Sequence, residues 1–74
     1  MKVQYDPEVD VMYIRFREGK IAESDEIKEG VIIDYDEVGK PVGIELLDAS
    51  ELMAGHPEIV MDFSLAKSGI NKGK

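Results

Sequence analysis

The sequence predicts an α+β fold that is mainly antiparallel β, with two hairpins forming a small twisted sheet and a short helix after the last hairpin. Three observations predict it. β-branched, aromatic and other apolar residues recur at alternate positions or in short runs over residues 2–5, 11–16, 31–35 and 42–47, the pattern of strands that bury one face. Short stretches of Asp, Pro and Gly separate the paired runs, the chemistry of turns that join antiparallel neighbours. After Leu47 the apolar period lengthens toward that of a helix.

The first hairpin spans residues 1–16. Val3 and Tyr5 alternate with Lys2 and Gln4, and the turn is Asp6-Pro7-Glu8-Val9-Asp10. Asp6 can accept a backbone N–H two residues on, and Pro7 sets φ for the second turn position. On the return, Met12, Ile14 and Phe16 share the side expected to face the core, while Val11, Tyr13 and Arg15 share the other. Glu18-Gly19-Lys20 is a second turn signal. The polar run over residues 21–27, dominated by Glu23, Ser24, Asp25 and Glu26, suits only a short charged edge strand, where charge discourages stray pairing.

Gly30 precedes the strongest β-run, Val31-Ile32-Ile33-Asp34-Tyr35, whose expected partner is residues 42–47. The connection Asp36-Glu37-Val38-Gly39-Lys40 has Asp first and Gly fourth, as in a type I turn ending in a left-handed residue. Val31, Ile33 and Tyr35 would meet Val42, Ile44 and Leu46. Residues 48–54 suit one or two helical turns, with Asp48 or Ser50 as N-cap, Gly55 as stop and Pro57 barring continuation. Over residues 59–65, Ile59, Met61, Phe63 and Leu65 alternate and predict a strand, although Ile59, Val60 and Phe63 would also line a helix starting at Pro57.

The length, 74 residues, fits one domain. That domain is expected over residues 1–66, with a disordered basic tail at 67–74. No cysteine is present, so no disulfide or thiolate ligand supports so small a core, and a homodimer or other homo-oligomer is expected to complete it. The net charge is −7, and residues 1–66 hold sixteen acids against six bases. Such a field repels nucleic acid and anionic membranes. With no long apolar run and no secretion-like start, a cytoplasmic protein is expected.

Six groups of residues are candidates for chemistry or recognition. Asp34, Asp36, Gly39 and Glu45 occupy positions 1, 3, 6 and 12 of a calcium loop, but position 5 is Val38 and position 8 is Pro41. A hairpin turn explains Asp36 and Gly39 without a metal. Asp6 and Asp10, with Glu8, could hold a hard cation at a turn tip, against the plainer role of Asp6 as a turn cap. Glu23, Asp25, Glu26 and Glu29 could meet a basic protein partner, although such runs are usually solvated. His56, between Gly55 and Pro57, lacks companions at metal or catalytic spacing and reads as a loop residue. Ser68, Gly73 and Lys74 match fragments of a phosphate loop with no helix to follow. Of Tyr5, Tyr13 and Tyr35, at least two are expected to pack across strands rather than stack with bases or a partner. No nucleophile, base and orienter assemble, so neither an enzyme nor a bound cofactor is expected.

Tyr5-Asp6-Pro7-Glu8 with Asp10 and Met12-Tyr13-Ile14, then Gly30 through Asp36, then Gly39 before Val42-Gly43-Ile44-Glu45, form an ordered set of short hairpin motifs. In this order and spacing the chain resembles the small bacterial and archaeal proteins grouped as domain of unknown function 2283, over about residues 1–50. The resemblance implies a compact β-rich domain and supplies no catalytic residue. Because some of these proteins sit beside toxin-like genes, it also implies an antitoxin-like role with a basic toxin as an alternative to the interaction and metal-binding readings.

Overall fold

The structure, a computed structural model, describes residues 1–56 and 58–62. Five strands and one short helix follow in order: β1 Lys2–Asp6, β2 Val11–Arg15, β3 Glu23–Lys28, β4 Val31–Tyr35, β5 Pro41–Leu47 and α1 Ala49–Leu52. All pairings are antiparallel, and the sheet order is β1-β2-β5-β4-β3. The mainly β fold is thus as expected, but the two expected hairpins are only part of a five-stranded sheet. The polar run becomes a true third strand, because its backbone can bond β4 whatever its side chains do. Ala22 N–H extends that pairing to Tyr35 O at 2.8 Å.

The two hairpins are joined through β2 and β5, with Ile14 opposite Ile44 and Met12 opposite Leu46. Strand alternation then gathers Val3, Tyr5, Met12, Ile14, Val31, Ile33, Ile44 and Leu46 on one side. Gln4, Tyr13, Arg15, Asp34, Gly43 and Glu45 share the other with Val11, Ile32 and Leu47. Each strand's main contacts are with its hydrogen-bonded neighbours, so the sheet is a single layer.

Two bulges bend it. Asp34 faces Gly43 and Tyr35 faces Pro41, leaving Val42 as the extra residue of β5; Glu26 faces Ile32 and Lys28 faces Val31, leaving Ile27 extra in β3. Bulges add twist and redirect side chains. Val42 is fully buried, and a Cβ placed on Gly19 would lie 3.7 Å from both its Cγ atoms. The turn after β2 therefore folds over it.

The turns follow their chemistry. Gly39 has φ 82°, its N–H donates to Asp36 O at 3.0 Å, and Asp36 N–H donates to Lys40 O at 2.9 Å. Gly30 has φ 80°, between β3 and β4. The helix is shorter than expected, and Asp48 stands at its N-cap with φ 50° and no side-chain cap bond; neither expected capping side chain closes that end. Ala54 and Gly55 end the turn with positive φ. Residues 59–62 form neither the expected strand nor the alternative helix, while residues 63–65 and the basic tail at 67–74 lie outside the described residues. No helix among the described residues is long and apolar enough to cross a membrane.

Candidate functional site

The two sides of the sheet differ in what they offer. On the polar side, β2, β4 and β5 bring Arg15, Gly43 and Asp34 into one row, with Tyr13 and Glu45 in the next. Gly43 has no side chain to fill the centre, and a Cβ there would lie 2.7 Å from Ile14 O. The result is a shallow depression of about 210 Å³, lined by Gln4, Tyr13, Arg15, Ile21, Asp34 and Glu45 among others.

Asp34 is 5% exposed, and its Oδ1 accepts the Ser24 hydroxyl at 2.6 Å. Glu45 hydrogen-bonds Asp34, and burial, then that bond and the neighbouring charge, raises the Glu45 pKa above the usual carboxylate value. Loss of solvent and a second carboxylate beside it both disfavour the charged form of Glu45. Arg15 donates from Nη2 to Gly19 O at 2.6 Å, while its Nε is buried without a partner. This arrangement can retain a proton and orient a strand-connecting loop. It contains no serine or histidine set for nucleophilic attack among the lining residues.

Other candidate residues sit apart from it. Asp6 Oδ1 accepts Glu8 N–H at 3.0 Å, the expected turn cap. Asp10 points into a clamp instead: its Oδ1 accepts the Tyr5 hydroxyl at 2.7 Å and Ser50 N–H at 2.9 Å, and its Oδ2 accepts the Ser50 hydroxyl at 2.7 Å. These bonds, Ser50 first, hold its pKa below the usual value, and the same contact raises that of Tyr5. Asp36 accepts Val38 N–H and Lys40 N–H at 3.0 and 2.9 Å and pairs with Arg17 at 2.7 Å. The Lys40 bond, then Arg17, lowers its pKa. Asp34 and Asp36 thus serve different networks, and no group of three or more His, Cys, Asp or Glu side chains converges among the described residues.

Glu23, Asp25 and Glu26 lie along the exposed outer strand β3, Glu29 follows it, and Glu26 Oε2 accepts Gly30 N–H at 3.0 Å. His56 is exposed. Of the tyrosines, Tyr5 packs beside Met12 and Tyr35 beside the bulge, while Tyr13 is exposed. Sequence reasoning missed Arg15, Ser24 and Gly43. Their signal was present only in the cross-strand rows, since Gly43 separates Arg15 from Asp34 across three strands.

The apolar side is the larger feature. Val3, Tyr5, Ile14, Ile33, Ile44 and Leu46 are only half-buried, and no described element lies over them. The helix is held instead at the β1–β2 turn, where Ala49 N–H donates to Asp10 O at 3.0 Å.

The sequence profile of the protein of unknown function family DUF2283 matches residues 2–50, the whole of the sheet and the start of the helix. No curated protein and no solved structure matches the chain. The chain belongs to the DUF2283 family.

Proposed function

We propose that this DUF2283 protein is a non-catalytic, homo-oligomeric interaction module whose apolar sheet face closes against a second copy. The observation that carries it is the single-layer sheet with half-buried Ile14, Ile33, Ile44 and Leu46 at its centre. A sheet stabilises a domain by burying one face against another layer. Among the described residues only four hydrophobic ones are buried, Val11, Met12, Val42 and Ala49, so they hold little other core.

The non-catalytic part rests on the polar side. Its depression, about 210 Å³, is below the roughly 300–1,000 Å³ of ordinary small-molecule pockets. The acids around the rest of the surface serve solubility and turn formation.

Native mass spectrometry and light scattering test the reading. The expected result is a multiple of the 8.3 kDa chain at micromolar concentration, reduced to a smaller assembly by Ile44→Glu with the β circular dichroism retained. A wild-type protein that stays monomeric at millimolar concentration overturns it.

A further inference from the structure

The two edges of the sheet are built differently. β3 is exposed along its whole length, acidic at Glu23, Asp25 and Glu26, and broken by the Ile27 bulge, all devices that stop a sheet from adding strands. β1 carries charge only at its two ends, Lys2 and Asp6. It pairs with β2 through five successive residues without a bulge and contains no proline.

The direction of its free backbone groups follows from the ladder. Phe16 N–H donates to Val42 O, so the even-numbered residues of β2 bond β5 and the odd-numbered ones bond β1. Arg15, Tyr13 and Val11 therefore hold Lys2, Gln4 and Asp6. The N–H and C=O groups of Val3 and Tyr5 are left pointing away from the sheet.

We propose that this edge pairs antiparallel with β1 of a second copy, about a two-fold axis passing beside Gln4. The proposal rests on the homo-oligomer reading and adds the edge and the register. The segment Lys2-Val3-Gln4-Tyr5-Asp6 is self-complementary in that register. Val3 meets the second copy's Tyr5, and these are the residues whose backbone groups face outward, so four hydrogen bonds close. Lys2 meets the second copy's Asp6 at each end, and Gln4 meets Gln4 on the axis. A slip of two residues either way loses both Lys–Asp pairs, and a parallel arrangement sets like charges side by side. Val3 and Tyr5 also lie on the apolar side, so pairing joins two apolar faces into one continuous surface.

The test uses the absence of native cysteine. On the axis, the Gln4 pair is a non-hydrogen-bonded one with Cα atoms about 4.5 Å apart, within disulfide reach. Under mild oxidation, most of the Gln4→Cys protein is expected to become a disulfide-linked dimer. Asp25→Cys, on the opposite edge, is expected to stay mostly unlinked. Lys2→Glu sets two like-charge pairs across the interface and is expected to weaken self-association about tenfold. Asp6→Lys alone has the same fault with opposite sign. An equimolar mixture of the two variants restores both opposite-charge pairs and is expected to form a mixed dimer at wild-type affinity, with circular dichroism confirming folded chains.

If the wild type is oligomeric but Gln4→Cys links no faster than Asp25→Cys, the edge proposal is overturned and the homo-oligomer reading stands. A monomeric wild type overturns both.

Discussion

Single positions show how little slack the one-layer sheet has. Val42 is fully buried, and Val42→Ala is expected to cost about 2 kcal/mol of unfolding free energy in urea titrations. Gly43→Ala acts through the opposite fault. Its Cβ would lie 2.7 Å from Ile14 O and 3.3 Å from Arg15 Cα, both backbone atoms that cannot swing aside, so a loss of about 1–3 kcal/mol is expected in the same titration.

Glu45 predicts a pH signature. Its pKa is raised in the folded state by burial and by Asp34, so the folded chain binds that proton more tightly than the unfolded one. Its contribution is favourable below the ordinary carboxylate value and is lost as pH rises through the raised folded value. Glu45→Gln keeps a hydrogen-bond donor for Asp34 without the charge. Thermal melts of this variant are expected to show higher stability at neutral pH and a flatter profile above the ordinary carboxylate range. Asp10 and Asp36 act with the other sign: their lowered pKa values give stability at neutral pH that disappears as pH falls through those lowered values.

Among elements, the join between helix and sheet is made at Asp10, by its backbone carbonyl to Ala49 N–H and by its carboxylate. Asp10 binds Tyr5 of β1 and both the backbone and side chain of Ser50, across a separation of 40 residues. With no side-chain cap at Asp48 and only four helical residues, α1 has little stability of its own. Asp10→Ala is therefore expected to release the helix while leaving the β-ladder paired. Hydrogen exchange should show faster exchange at Ser50 and Met53 amides, with β2 and β5 amides still protected. Equal loss of protection in both places would show that Asp10 supports the sheet itself.

Over the whole molecule, the two faces and two edges divide the work. The β3 edge and the turn acids keep one boundary solvated, while the apolar face and the β1 edge are open to a second copy. Four copies, paired at the edges and stacked by their faces, would satisfy both surfaces with perpendicular two-folds. The smaller unit is a pair joined by either surface alone. The length and composition lead to the same proposal, since 74 residues without cysteine have few other means of completing a core.

Much of the fold was legible because strand alternation and turn chemistry are local. The alternation of Val31, Ile33 and Tyr35, the Asp36 to Gly39 turn and the Asp6 cap are properties of residues a few positions apart, and the sequence determined them by itself. The charged run at β3 could be read only as an edge, because its side chains say nothing about the backbone that pairs it. The tertiary structure alone decided that β2 lies against β5, that Gly43 separates Arg15 from Asp34, and that Asp10 reaches Ser50 instead of remaining a free turn acid. The β2–β5 and Asp10–Ser50 contacts join residues about 28 to 40 positions apart, and which of them form depends on burying the apolar side of both hairpins together, a free energy that no short stretch of the chain carries.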